Sequence, residues 1–334
     1  MVFVYKPLSE KRNLCTLVKF IAALLVVNGH LFLFGRSQME FMVPFMDVGA
    51  CCVSLFFFFS GYGLMASFRS KGSAYLKNFG TRRLVRLIIP LLTAYCVSLI
   101  VYAWLVRPID WHNVFGTLLW GGPYLRYSWY VTEIIVVYFL FYITMKLPIE
   151  QKHKLLALSA LIVILMVSLY LAGQPIWYIE SLPGFIMGIW WEFYERRIGK
   201  KLTYSSVCTI AVISFCVWFV MWQWMLIGAP YLPAWRYALL AVLLADISFV
   251  VVVCAMIALS RFTPPPNILP MRSFYEIYLI QNCVMILAGN ISGQFFVKWS
   301  LTLFGVVVMG TLLYLINQRI STLMTPQRKV TAEA

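Results

Sequence analysis

Lys19 and His30 stand eleven residues apart on one apolar run, Lys19-Phe20-Ile21-Ala22-Ala23-Leu24-Leu25-Val26-Val27-Asn28-Gly29-His30. At ~100° per residue, that spacing is three helical turns plus about 20°. Both side chains would therefore share one helix face, roughly 16 Å apart along it. An ionisable group at membrane depth is costly, so it is rare unless something uses it. Imidazole is the side chain best matched to proton transfer near neutral pH. His30 is thus a candidate for general acid–base chemistry. The plainer readings are a histidine hydrogen-bonded to a neighbouring helix and a lysine snorkelling to the interface.

A second group is basic. Lys77, Arg82, Arg83 and Arg86 crowd the start of another apolar run. Arg83 and Arg86, three apart, share a helix face. Arg86 lies about a turn inside the run, where topology alone does not require it. Clustered arginines suit bidentate binding of phosphate. Lipid headgroups would explain Lys77 and Arg82 equally well.

Two carboxylates also fall in apolar runs. Glu133 follows Trp129-Tyr130-Val131-Thr132, and Glu276 lies in Ser273-Phe274-Tyr275-Glu276-Ile277-Tyr278-Leu279. Each is a functional candidate, with pairing to Lys or Arg as the structural alternative. Asp47 and Asp246 are weaker candidates near span ends. The run Phe56-Phe57-Phe58-Phe59-Ser60-Gly61-Tyr62-Gly63 ends in residues that permit close backbone approach or a broken helix. No Ser/His/Asp triad is evident, and a pairing of Ser60 with His30 would have to come from how the two helices meet. The eight cysteines form no CxxC pair and no metal-ligand spacing, so no metal is expected.

The elements that must position these residues are set by composition. The 334-residue chain is 62% hydrophobic and 12% charged, where soluble domains carry about 25% charge. Its mean hydropathy is +0.84. Ten apolar runs are long enough to span a bilayer: 14–34, 48–67, 84–106, 127–145, 154–173, 178–194, 207–227, 237–260, 273–290 and 297–317. Pro183 and Gly184 make the sixth the weakest. The runs are long and continuous, which excludes a strand-based barrel. The expected fold is an all-α integral membrane bundle of about ten transmembrane helices. A membrane domain would fill 1–320, with a short cytoplasmic tail at 321–334.

The formal charge of +15 could suggest a nucleic-acid partner, but its distribution does not. With a cytoplasmic N-terminus, the inner segments hold 20 of the 27 Lys and Arg, against five in outer loops. That asymmetry is the positive-inside pattern and places both termini in the cytoplasm. The first run lacks a cleavage site and reads as an uncleaved anchor. The outer segment 107–126, with Trp111, Trp120 and Tyr124, reads as an interfacial helix.

Five segments, in order, resemble the acyltransferase type 3 family of integral membrane O-acyltransferases. They are the basic residue with histidine eleven positions on (Lys19, His30), the Phe-rich helix ending Ser60-Gly61-Tyr62, and the arginines before a proline (Arg83, Arg86, Pro90). The Trp129-Tyr130 helix with Tyr138 follows, and last the segment from Ser273 to Tyr278-Leu279. Two positions depart from the family pattern. Lys19 stands where arginine is usual, which keeps charge but loses the bidentate fork. Gln281 stands where histidine often follows the late Tyr-Leu.

The resemblance implies transfer of an acyl group, most often acetyl, from cytoplasmic acyl-CoA to a hydroxyl of a cell-surface or lipid-linked glycan. It implies a stand-alone member without a fused extracytoplasmic domain, and a multi-pass place in the bacterial inner (plasma) membrane. His30 and Glu133 would be catalytic. Lys19, Lys77, Arg83 and Arg86 would hold the acetyl-CoA. Ser60, Gly61, Tyr62, Trp129 and Glu276 would line or support the site. The alternative is a secondary transporter or lipid-linked glycan flippase that uses the same intramembrane charges, although no inverted repeat is visible.

Overall fold

The computed structural model describes residues 4–35, 48–105, 108–228, 234–266 and 268–324. Every regular element among them is helical. In chain order these are α1 (Arg12–Gly35), α2 (Val48–Lys71), α3 (Ala74–Lys77), α4 (Val85–Leu105), α5 (Val114–Trp120), α6 (Trp129–Met145), α7 (Gln151–Leu171), α8 (Leu182–Gly199), α9 (Tyr204–Gly228), α10 (Ala234–Leu259), α11 (Leu269–Arg272), α12 (Phe274–Gly289) and α13 (Phe295–Met324). Inside a bilayer the backbone must satisfy its own hydrogen bonds, and a helix does so within one segment.

Among the described residues, α1, α2, α4, α7, α9, α10 and α13 contain stretches long and apolar enough to cross a membrane. The apolar helices α6 and α12 are shorter. α8 differs in kind: its last two turns carry Glu192, Glu195, Arg196 and Arg197. Each of the ten apolar runs therefore forms a helix, and seven of those helices have spanning length and composition. Asp47 lies outside the described residues.

The chain forms two compact units, Met1–Lys77 with Glu133–Met271, and Asn78–Thr132 with Arg272–Ala334. In the first, α2 packs against α1, α8 and α10, and α9 packs on α10. The contact between α2 and α8 is built from glycines. A Cβ added at Gly188 would lie 2.1 Å from the Phe58 carbonyl oxygen. One at Gly184 would lie 2.2 Å from that of Ser54, and one at Gly61 2.5 Å from that of Phe185. Gly184 and Gly188 are four apart, the small-xxx-small spacing that lets membrane helices meet backbone to backbone. Gly63 meets nothing within 4 Å, so only one glycine of the Ser60–Gly63 segment serves this approach.

A polar clamp ties the N-terminal segment to this unit. Lys11 Nζ donates to the carbonyls of Ile257 (2.7 Å), Ala258 (2.9 Å) and Ser260 (3.1 Å). Those are orphan acceptors at the end of α10, where a cation is favoured. Burial lowers the Lys11 pKa from its ordinary value, and the charge of Lys6 adds to this.

In the second unit α12 packs on α4 and α13, and α13 on α4. Pro90 sits inside α4. Within 108–126 lies the short helix α5, which the exposed Trp111 precedes and the exposed Trp120 ends. Tyr124 is buried and receives the Asp110 amide at 2.8 Å. It serves the loop's own packing, not an interfacial surface.

Candidate functional site

α1 runs unbroken from Arg12 to Gly35, so Lys19 and His30 are held by one rigid element at the separation their spacing requires. Both are half-buried. The Lys19 ammonium lies 5.8 Å from the ring centroid of Phe59, within cation–π range. The Phe run thus gives the lysine an aromatic neighbour at membrane depth. Further along α1, the Val26 Cα is 3.8 Å from where a Gly49 Cβ would stand.

These two contacts set the antiparallel register of α1 and α2: Lys19 beside Phe59, Val26 beside Gly49. Ser60 therefore sits at the level of Lys19. His30 lies a turn beyond Val26, in the opposite direction. At 1.5 Å per residue the two are separated by about 20 Å along the helices. This register does not bring Ser60 and His30 together as a pair. In antiparallel helices, adjacency follows the register, and the register puts the Phe run beside the lysine.

The carboxylate of Glu195 gathers the end of α8. Its Oε1 accepts from the Tyr5 hydroxyl (2.6 Å), the Leu8 amide (2.8 Å) and Trp191 Nε1 (3.3 Å). Its Oε2 accepts from the Tyr62 hydroxyl at 2.6 Å. The Tyr62 oxygen in turn accepts the Ser9 amide at 3.0 Å. Tyr62 is thereby committed to holding the N-terminal segment on α2 and α8. One turn earlier in α8, Glu192 meets Arg69 at 3.4 Å.

Glu133, in the first turns of α6, is buried. Neither of its carboxylate oxygens has a hydrogen-bond partner among the described residues. The Glu180 carboxylate is near enough to act on it electrostatically. Pairing with Lys or Arg, the structural alternative, is not what surrounds it. Another intramembrane carboxylate, that of Asp246 on α10, accepts the Ser54 hydroxyl at 2.6 Å.

The basic group divides between the units. Lys77 ends α3 in the first unit and is exposed. Arg83 and Arg86 belong to the second. Arg83 falls in a π-helical turn, Gly80–Leu84, and is half-buried. Arg86 is exposed in the first turn of α4. The wider π turn means that a three-residue spacing no longer fixes a shared α-helical face. Arg86 follows that turn directly, in a helical path that runs without a break from Gly80 into α4.

The second unit brings two of the sequence segments together. Tyr130 packs edge-on against Tyr278 with centroids 5.3 Å apart. The Tyr278 hydroxyl donates to the Tyr127 carbonyl at 3.0 Å. Trp129, half-buried, begins the same helix. Glu276 on α12 accepts from Asn317 Nδ2 of α13 at 3.2 Å, and Asn317 Oδ1 accepts from Thr93 of α4 at 2.8 Å. The hydrogen-bonding partner of Glu276 is thus a neutral amide, and not the Lys or Arg of the structural alternative. Gln281 bonds to the Tyr278 carbonyl of its own helix.

A family model of the acyltransferase domain matches residues 16–317. The chain belongs to the acyltransferase type 3 family. The match covers His30, both arginines and the Ser273–Leu279 segment, so the five segments lie in one domain of this membrane acyltransferase. Comparisons with curated proteins and with solved structures find no match.

Several residues that organise this acyltransferase escaped sequence reasoning. Glu192 and Glu195 fall at and just beyond the end of the apolar run 178–194 and were not singled out. Continuation of the helix to Gly199 is what places them against Tyr5, Tyr62 and Arg69. Asn317 and Glu180 carry no local signal, because their partners are more than 40 residues away in sequence. Gly184 and Gly188 did carry one: their four-residue spacing marks a close helix contact.

Proposed function

We propose that this multi-pass membrane acyltransferase moves an acetyl group from acetyl-CoA to a hydroxyl of a cell-surface or lipid-linked glycan. The observation that carries the proposal is the family match over residues 16–317, with Lys19 and His30 mounted on one unbroken helix inside it. The chain crosses the bacterial inner membrane ten times in this reading, with both termini in the cytoplasm.

Each residue has a task. Arg83 and Arg86 take the donor's phosphates through paired N–H groups. Lys77 and Lys19 add positive charge, Lys19 as a point charge steadied by Phe59. His30 accepts the proton of the acceptor hydroxyl as its oxygen attacks the thioester carbonyl. The C–S bond then breaks and the CoA sulfur leaves with a proton. Transfer by way of an acyl-imidazole on His30 uses the same atoms in two steps. Glu133 is the carboxylate assigned to the acceptor side.

The test is acetyl transfer by purified protein in nanodiscs, with radiolabelled acetyl-CoA and a lipid-linked glycan extract. Wild type is expected to label the glycan fraction, and His30→Ala to lose that label by at least 100-fold, the usual scale of general-base loss. Transfer that survives the substitution removes His30 from its role. Absence of both transfer and stabilisation by acetyl-CoA in the wild type overturns the donor assignment.

A further inference from the structure

Glu133 and Glu180 are carboxylates held out of water inside the first unit, retaining 5% and 7% of their exposure. They are electrostatic neighbours, and Glu133 also acts on Tyr178. Glu133 takes part in no salt bridge among the described residues. Ser181 follows Glu180 and precedes α8, yet its hydroxyl makes no capping bond to the helix. Its Oγ is 1% exposed at the residue level and has no partner among the described residues, like both oxygens of Glu133.

Three buried oxygens without partners need an explanation, because buried polar groups in native structures are nearly always bonded. The chemistry of the oxygens says what would satisfy them. Carboxylates only accept; a serine hydroxyl accepts and donates. A fitting ligand therefore offers several hydroxyl donors close together. Adjacent ring hydroxyls of a carbohydrate do so, because two neighbouring O–H groups can address one carboxylate. Trp177, in the turn that leads to Glu180, is 49% exposed. It supplies a flat apolar face of the kind that walls a ligand site around a few placed polar groups.

We propose that Glu133, Glu180 and Ser181 form the acceptor subsite of this acyltransferase, that they recognise vicinal hydroxyls of a carbohydrate ring, and that the ring packs against Trp177. The proposal rests on the acetyl-transfer reading for its chemistry. One ring hydroxyl is the atom to be acylated, and its neighbours are the atoms to be held. His30 belongs to the same unit.

The experiment is saturation-transfer NMR on the full chain in nanodiscs, with the methyl glycosides of glucose, galactose and mannose. Cyclohexanol serves as a monohydroxylic control, and thermal stabilisation by acetyl-CoA is measured in parallel. At least one glycoside is expected to bind, with no signal from cyclohexanol. Glu180→Gln, Ser181→Ala and Trp177→Ala are each expected to weaken that binding about tenfold, which is 1.4 kcal/mol. Stabilisation by acetyl-CoA should stay unchanged in all three. If Glu180→Gln loses that stabilisation, the other two variants decide. Failure of all three glycosides to bind wild type overturns the subsite, as does binding that the variants leave intact. Glycoside binding without any effect of acetyl-CoA keeps the subsite and rejects the donor assignment instead.

Discussion

Tyr62 and Glu195 share a hydrogen bond of 2.6 Å between the middle of α2 and the last turn of α8. The tyrosine belongs to the Ser-Gly-Tyr segment, one of the five that resemble the family. Its hydroxyl is saturated by structure: it donates to the carboxylate and accepts the Ser9 amide. Tyr62→Phe leaves a buried acceptor and an amide without a partner, at a cost of about 1–3 kcal/mol. Glu195→Ala removes four acceptor contacts and should cost more, about 3–5 kcal/mol. Thermal unfolding of both variants and of their double mutant checks this. A coupling near zero between the two sites would show that the clamp does not act as a unit.

Gly188 tests the backbone contact beneath that clamp. A methyl group there would stand 2.1 Å from the Phe58 carbonyl oxygen and 2.8 Å from the Tyr62 amide nitrogen. Both are backbone atoms and cannot rotate away. Gly188→Ala should therefore force α8 off α2 and destabilise the protein by about 3 kcal/mol, at the upper end of overpacking costs. Gly63→Ala, in open space, should leave the melting temperature within about a degree, since nothing is displaced.

Arg86 separates the phosphate reading from a headgroup anchor. It is exposed at the start of α4, where a lipid anchor would also sit. If it holds the donor, Arg86→Ala raises the KM for acetyl-CoA about tenfold or more while kcat changes little, the signature of lost uniform binding. Arg86→Lys recovers part of the loss, since charge remains but the fork is gone. Steady-state kinetics at several acetyl-CoA concentrations decide it; an unchanged KM in Arg86→Ala assigns the residue to the membrane.

How much was legible beforehand follows from the range of each interaction. The apolar runs announced their helices because a span is a local, 20-residue signal. The Lys19–His30 relationship was also local, carried by one helix, and the structure keeps it. The proximity of Ser60 to His30 was not local. It depended on the register between α1 and α2, which the Val26–Gly49 contact settles the other way. The helix α8 runs to Gly199, past the apolar run that ended at 194, because its charged end is held by other segments: Glu195 is bonded by Tyr5 and Tyr62, 190 and 133 residues away. Buried polar partners of that kind leave no periodic trace.

The Tyr5–Glu195 bond makes stability depend on alkaline pH. Burial raises the Tyr5 phenol above its ordinary value, and the adjacent Glu195 carboxylate adds to this. The folded chain therefore keeps a proton that the unfolded chain releases near pH 10. The stabilisation is complete below that pH and is lost as pH rises above it. Lys11 acts with the opposite sign: its lowered value lets stability rise with pH just below about 10.4, where the unfolded lysine still holds its proton. Tyr5→Phe isolates the first effect. At pH 8 it should be less stable by about 1 kcal/mol. Between pH 9.5 and 11 its melting temperature should fall less steeply than that of wild type. Parallel slopes would mean that the phenol does not titrate on unfolding.

Asn317 gives the sharpest test of the second unit, because its amide joins three helices. It donates to Glu276 at 3.2 Å and accepts from Thr93 at 2.8 Å. Asn317→Leu strands a buried carboxylate oxygen and should cost about 1–3 kcal/mol, more if the carboxylate is charged. Asn317→Asp sets a carboxylate against a carboxylate and should be worse than leucine at pH 7.5, since like charges repel strongly away from water. Exchanging the groups, with Glu276→Gln in the Asn317→Asp background, restores one amide and one carboxylate across the same gap. That double variant should recover at least half of the stability lost by Asn317→Asp alone. A double variant no more stable than the single one would show that Asn317 supports α13 through packing and not through Glu276.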